Sequence, residues 1–205
     1  FAQARHRSSK RAYLCFDEWN VWYKNHEKDG QGKVAPHLLE EVYNLEDALV
    51  AAREFSERTG AVFIHPFDHE DVIAGQGTVG LEILEQLPEA ASVVVPTGGG
   101  GLLAGVALAV KSVRPDVRAV GVQAKDAAAY PGSLEAGRPT PLEQMRTMAD
   151  GIAVGRPGDL TFAAVRDHVD DVVTVSEDSL ARAVLALAER AKLVSEPAGA
   201  AAGAA

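Results

Sequence analysis

Beyond Ala61 the apolar positions follow two alternating rhythms. "AVFIHPF" (61–67) predicts a short buried strand, "DHEDVIAGQG" a turn-rich stretch, and "TVGLEILEQL" a helix with Val79, Ile83 and Leu87 at helical spacing. The β-branched "SVVVP" predicts a second strand and "LLAGVALAVKSV" a second helix; "VRAVGVQ" is a third strand. "AAAYPGSLEAGRPTPLEQM" reads as loop, "DLTFAAVRDHV" as helix, "DDVVTV" as a fourth strand and "SEDSLARAVLALAERAKL" as a strong helix. Ser176 is placed to cap that last helix, with Glu177 and Asp178 in its first turn, where negative charge meets the positive helix end. Short, continuously apolar strands alternating with helices predict an α/β fold, a parallel sheet with helices on both faces.

The front of the chain breaks that rhythm. "YLCFDEWNVWY" carries both tryptophans, "KNHEKDGQGK" is a polar loop, and "LEEVYNLEDALVAAREFSERTG" predicts a helix with Leu45, Ala48, Leu49, Ala52 and Phe55 on one face. Residues 1–51 hold seven basic and eight acidic groups, the remainder 13 and 21, so net charges of −1 and −8 make up the total of −9. Two segments follow, 1–51 and 52–205, with no Gly/Ser/Pro linker between them. The acidic balance and the lack of a basic stripe argue against a nucleic-acid surface. No apolar run reaches the roughly 18 residues of a membrane span. The single Cys15 cannot form an internal disulfide and suits a reducing, cytoplasmic setting; it reads as a buried strand residue. Phe1 is not a methionine and "EPAGAAAGAA" ends in alanines, so both ends read as cut.

Between the second strand and second helix stand Thr97 and four glycines, Gly98 to Gly101. Without Cβ atoms, successive residues adopt opposite-handed conformations, and their N–H groups converge with the positive end of the following helix on one point. Such a loop is a cradle for a phosphate dianion. A flexible linker would have polar flanks, and these are apolar. Gly99, Gly101 and Ala104 also satisfy the spacing of a dinucleotide fingerprint, but Gln123 stands where the ribose-binding acid belongs. The absence of Gly-Lys-Ser/Thr excludes a nucleoside-triphosphate loop.

From about residue 52 to 205 the chain resembles the threonine ammonia-lyase (threonine dehydratase) and serine racemase group of pyridoxal-phosphate enzymes, fold type II. The resemblance rests on "FIHPFDHEDVIAGQGTVGLEILEQ", "VVVPTGGGGLLAGVA", "VRAVGVQ", "TMADGIAV" with "RPGDLTF", "VDDVVTVSEDSLARAV" and "AKLVSEPAGA", in the family's order. It implies that Gly98, Gly99, Gly100 and Gly101 hold the phosphate of pyridoxal 5'-phosphate, that Gly151 lies beside its ring, and that Glu196 lines the site. It further implies that the α-proton of threonine or serine is removed, the β-hydroxyl expelled, and 2-oxobutanoate or pyruvate released with ammonia. A homo-oligomer is compatible with it. The family's Ser-Phe-Lys-like segment, which carries the cofactor lysine, and its Ser-x-Gly-Asn-His loop do not occur in these 205 residues, and its Ser-Gly-Gly-Asn segment would fall after Ala205. Lys111, Lys125 and Lys192 are not placed to substitute, so the chain alone is expected to be inactive. Gln123 stands where the racemase branch has a metal-binding Glu, and no metal is expected there. His65 and His69 read as loop residues.

"YLCFDEWNVWYKNHE" and "VAPHLLEEVYNLEDALV" resemble instead the retaining α-L-arabinofuranosidases, in which the Glu of "DEWN", here Glu18, is the nucleophile. Its acid/base partner and most of the barrel are absent. The chain thus reads as a fusion joined within "LEDALVAAREF", with Trp19, Trp22 and Tyr23 poorly docked. A non-catalytic remnant that binds phosphate-bearing ligands is the further alternative.

Overall fold

The computed structural model describes residues 13–14 and 45–205. They fall into two compact units, Phe1–His65 and Pro66–Ala205. In the first, helix α1 spans Leu45–Thr59 and buries Ala52 on the face its spacing predicts. Strand β2, Val62–Phe63, pairs in parallel with β1, Tyr13–Leu14. The expected strand 61–67 is therefore only two residues long and stands outside the larger sheet; Pro66, with no N–H to give a ladder, follows closely. Glu18, Cys15, Trp19, Trp22 and Tyr23 lie outside the described residues.

The second unit is built on a three-stranded parallel sheet, β3 (Ser92–Pro96), β4 (Arg118–Ala124) and β5 (Asp171–Val175), in that spatial order. Ser92 to Pro96 stand opposite Arg118 to Val122, and Val120 to Ala124 opposite Asp171 to Val175. Alternation sends side chains to opposite faces. Val93 and Val95 pack into one apolar cluster with Leu103, Val106, Tyr130 and Phe162, while Val122, Ala124 and Val175 pack into another with Leu180 and Ala198. Helices α2 (Glu70–Gln86), α3 (Gly101–Val113), α4 (Ala129–Ala136) and α5 (Asp159–His168) contribute to the first cluster. Helices α6 (Glu177–Ala186) and α7 (Pro197–Ala200) contribute to the second.

Three elements differ from expectation. The turn-rich stretch 68–77 is helical from Glu70: Gly77, like Gly80 beyond it, serves interhelical contact rather than turning, and Gly75 stands exposed. A Cβ on Gly80 would lie 2.9 Å from the Val106 carbonyl oxygen, one on Gly77 3.2 Å from that of Gly105, and one on Gly105 would collide with the Ile73 carbonyl. The expected loop 127–145 contains α4, held by the wholly buried Tyr130 and by Ser133, whose hydroxyl donates to the Ala129 carbonyl at 2.7 Å. The last long helix is capped at Ser176, whose side chain accepts from the Ser179 N–H. It stays α-helical only to Ala186: Leu187–Ala191 form a π-turn, Lys192 is left-handed (φ 59°), and exposed residues there bury no face that would extend the helix.

Candidate functional site

The glycine loop leaves the carboxyl end of β3 and enters α3, where a ligand crevice forms in open parallel sheets. Thr97 still belongs to the ladder, its N–H donating to the Val122 carbonyl at 2.8 Å. Gly100 then takes φ +100°, the left-handed region, as the residue before α3. A Cβ there would also fall on the Tyr130 hydroxyl. The other three glycines answer to crowding. Cβ atoms on Gly99 and Gly101 would meet Phe67, and one on Gly98 would lie 2.9 Å from Val154 Cγ2 and 3.2 Å from Ile152 Cα.

Two carbonyls of this loop are held from behind. Gln123, wholly buried on β4, donates from Nε2 to the Thr97 carbonyl at 3.2 Å, while its Oε1 accepts from the Tyr130 N–H at 2.9 Å. The Gly99 carbonyl accepts from Thr161 Oγ1 at 2.7 Å, the Tyr130 hydroxyl at 3.2 Å and the Gly158 N–H at 3.4 Å. In a trans peptide a carbonyl and the following N–H point to opposite sides. Holding Thr97 and Gly99 therefore directs the N–H groups of Gly98 and Gly100 away from the protein groups that do the holding. Among the described residues, no protein acceptor takes the amides of Gly98, Gly99, Gly100 or Gly101. Burial pushes the Tyr130 phenol well above its ordinary pKa, with the Thr161 contact opposing, so it remains a proton donor across the usual pH range.

Asp68 completes the support. Its carboxylate accepts the N–H groups of Asp159 (3.0 Å), Leu160 (2.9 Å) and Thr161 (3.1 Å), capping α5 from a position more than ninety residues away. A Cβ on Gly158 would collide with that carboxylate. Thr161 thus reaches Gly99 from a helix whose first turn is anchored.

Gly151 and Glu196 lie in the same neighbourhood. Gly151 sits in a short 3-10 turn, Asp150–Ile152, whose Ile152 backs Gly98. A Cβ on Gly151 would lie 3.4 Å from Glu196 Oε1, and Glu196 is the exposed residue preceding α7. Gly98, Gly151 and Glu196 are accordingly linked through consecutive close approaches. Glu18 lies outside the described residues. Lys111 pairs with Asp170 at 2.8 Å towards the far end of α3, Lys192 Nζ donates to the Glu189 carbonyl at 2.6 Å, and Lys125 is exposed after β4. His69 caps α2, its Nδ1 accepting from the Asp71 N–H, and His65 stands edge-on to Phe63. No cluster of three metal-ligating side chains occurs among the described residues. No described helix is long and apolar enough to cross a membrane.

Sequence reasoning missed Gln123 as a loop anchor, and Thr161, Tyr130 and Asp68 altogether. A buried amide at the carboxyl end of a strand was the one signal available for Gln123. The other three act across 31 to 93 residues, which no local pattern reveals.

A family profile described as "Pyridoxal-phosphate dependent enzyme" matches residues 35–205, beginning within the segment 1–51. Among curated proteins, an L-threonine ammonia-lyase of Thermotoga maritima is 52% identical over 155 residues, 76% of this chain and 39% of that protein. The catabolic L-threonine dehydratase TdcB of Escherichia coli K12 is 47% identical over 157 residues, 77% of this chain and 48% of the relative. Among solved structures, the threonine deaminase of T.th. superposes with a TM-score of 0.73 at 46% identity, covering 76% of this chain and 54% of that one. Maize serine racemase gives 0.75 at 40% identity, covering 80% and 50%. The chain spans between two fifths and about half of these proteins' lengths, and its fold is that of the type II group. The profile match over 171 of 205 residues (35 to 205 inclusive) establishes that the chain belongs to the pyridoxal-phosphate dependent enzyme family.

Proposed function

We propose that this chain is the phosphate-cradling part of a pyridoxal-phosphate dependent ammonia-lyase acting on threonine or serine. The observation that carries the reading is the pair of pinned carbonyls, Thr97 and Gly99, behind a loop whose four glycine amides have no described protein acceptor. Those amides, together with the start of α3, suit a dianionic phosphate ester. When bound, the cofactor supplies an electron sink for the carbanion formed at the substrate's α-carbon. The chain's own groups hold and orient: Gly98 to Gly101 hold the phosphate, Gly151 leaves room beside the ring, and Glu196 supplies a carboxylate to the same crevice. Threonine would yield 2-oxobutanoate and serine pyruvate, each with ammonia. The names of the similar threonine and serine enzymes support that substrate class.

The test is titration of the 205-residue chain with pyridoxal phosphate and, separately, with pyridoxal. Tighter binding of the phosphorylated form, by about tenfold or more for the charge-assisted hydrogen bonds at stake, is expected; equal affinities would remove the reading. Because no Ser-Phe-Lys-like segment occurs in these residues, this chain by itself is expected to release no measurable 2-oxobutanoate from threonine. Borohydride treatment after cofactor addition separates a lyase lysine from a non-catalytic remnant: a covalent adduct at one lysine supports the former, reversible binding the latter.

A second reading concerns residues 13–50. "DEWN" with its neighbouring aromatic residues favours an origin in a retaining α-L-arabinofuranosidase, with Glu18 in the nucleophile's position. Release of the chromophore from a chromogenic arabinofuranoside, abolished by Glu18→Gln, would support it.

A further inference from the structure

We propose that Gln123 and Thr161 are positioning residues for the anion, each aiming a different amide of the glycine loop: Gln123 that of Gly98, and Thr161 that of Gly100. The inference rests on the phosphate-cradle reading above and assigns it a division of labour. A glycine loop has no side chain to hold its shape, so the direction of each N–H must be imposed from outside. Only the carbonyls offer a handle, and two of them are taken by side chains. Gln123 is suited to its place because a neutral amide both donates and accepts: Nε2 to the Thr97 carbonyl, Oε1 from the Tyr130 N–H. The reverse orientation of the amide would oppose oxygen to oxygen and N–H to N–H, so the surroundings settle its assignment. Thr161 makes the shortest contact to the Gly99 carbonyl, 2.7 Å, against 3.2 Å for the Tyr130 hydroxyl. The Thr97–Gly98 plane is held from β4 and the Gly99–Gly100 plane by the short contact from α5, with the Tyr130 hydroxyl of α4 as a second, longer one, so different side chains address the two amides.

The full chain, labelled with 15N only at glycine, is titrated with inorganic phosphate, with chloride at equal ionic strength as control, and the glycine amide resonances are followed. In the wild-type chain the Gly98 to Gly101 resonances shift saturably with phosphate and not with chloride. Thr161→Val removes the hydroxyl donor at constant shape. It is expected to weaken phosphate binding about tenfold or more, as for loss of one hydrogen bond to a charged group, and to abolish the phosphate response of Gly100 while that of Gly98 persists. Thr161→Ser restores both. Gln123→Met gives the opposite pattern, with Gly98 silenced and Gly100 responsive. A merely structural role would dull both resonances alike. If Thr161→Val does not fold by circular dichroism, Tyr130→Phe, which removes the longer hydroxyl contact to Gly99 and the 3.4 Å contact to Thr161 Oγ1 while leaving the Thr161 hydroxyl on Gly99, is expected to give a smaller loss confined to Gly100.

Unchanged affinity in Thr161→Val, or equal loss at both glycines in the two variants, overturns the inference while the cradle stands. No glycine response to phosphate in the wild-type chain overturns both. Phosphate binding by the loop with no tighter binding of pyridoxal phosphate leaves the inference standing and removes only the cofactor reading.

Discussion

Gly100→Ala is the substitution whose consequence can be worked most fully from the geometry. The residue stands at φ +100°, where an L side chain costs about 1–2 kcal/mol. The new Cβ would coincide with the Tyr130 hydroxyl, so that hydroxyl must leave the Gly99 carbonyl. Tyr130 is wholly buried, and a buried hydroxyl deprived of its partner costs about 1–3 kcal/mol. Together these give about 2–5 kcal/mol of destabilisation. With a urea slope of about 2 kcal/mol/M, the unfolding midpoint followed by circular dichroism falls by about 1–2.5 M. Gly132→Ala in α4 is the matched control. A Cβ there meets nothing within 4 Å, and the exchange of glycine for alanine inside a helix should raise stability by up to about 1 kcal/mol. The collision is tested by adding Tyr130→Phe: removing the hydroxyl relieves part of the overlap, so the double variant should lose less than the sum of the single losses. Strict additivity, or a Gly100→Ala midpoint equal to that of the wild-type chain, would refute the reasoning.

The helix pair α2–α3 supplies a second contrast. Gly105→Ala drives a methyl into the Ile73 carbonyl and is expected to destabilise by about 3 kcal/mol or more, whereas Gly75→Ala, with open space around it, is expected to stabilise by about 0.5–1 kcal/mol; urea midpoints read both. Asp68→Ala removes three helix-capping hydrogen bonds, with an expected loss of about 1–3 kcal/mol; Asp68→Asn, retaining one amide oxygen, should lose less. Asp170 accepts from Lys111 and from the Ala119 N–H, and these hydrogen bonds, chiefly that from Lys111, hold its carboxyl below the ordinary carboxylate range. Its stabilisation is therefore present above the unfolded-state value of about 3.9 and is lost as pH falls through the lower folded-state value. Asp170→Asn should flatten the acid limb of the stability profile, and an unaltered limb would contradict the assignment.

Apart from α4, the alternation of strand and helix could be read from residue 78 onward because the helices carry a buried face at helical spacing and the strands are short and rich in β-branched residues. Val93 and Val95, or Leu180 and Ala183, carry their burial in their spacing. The helical start at Glu70 was hidden by Gly75, Gly77 and Gly80, which resemble turn residues until a partner helix is known. Gly77 and Gly80 lie against α3, and Gly75 is simply tolerated on the exposed side. Helix α4 was hidden by Pro131 and Gly132, although a proline in the first turn removes no intrahelical donor. At the site, the glycine loop announced itself through its lack of side chains. Its supports did not. The Asp68 cap and the Thr161 contact are made between segments whose sequences bear no mark of each other, and Gln123 drew notice only as a missing acid.

The order in which the parallel strands occur along the chain has a consequence for synthesis. Thr161 follows Gly99 by 62 residues, and β5 lies farther on. At about 5–20 residues per second, roughly 3 to 12 s separate their emergence from the ribosome. During that interval Gln123 is made but Thr161 is not, so the nascent loop has the backbone of a receptor with only part of its geometry. Full competence to hold an anion arrives late, when the distal helix docks.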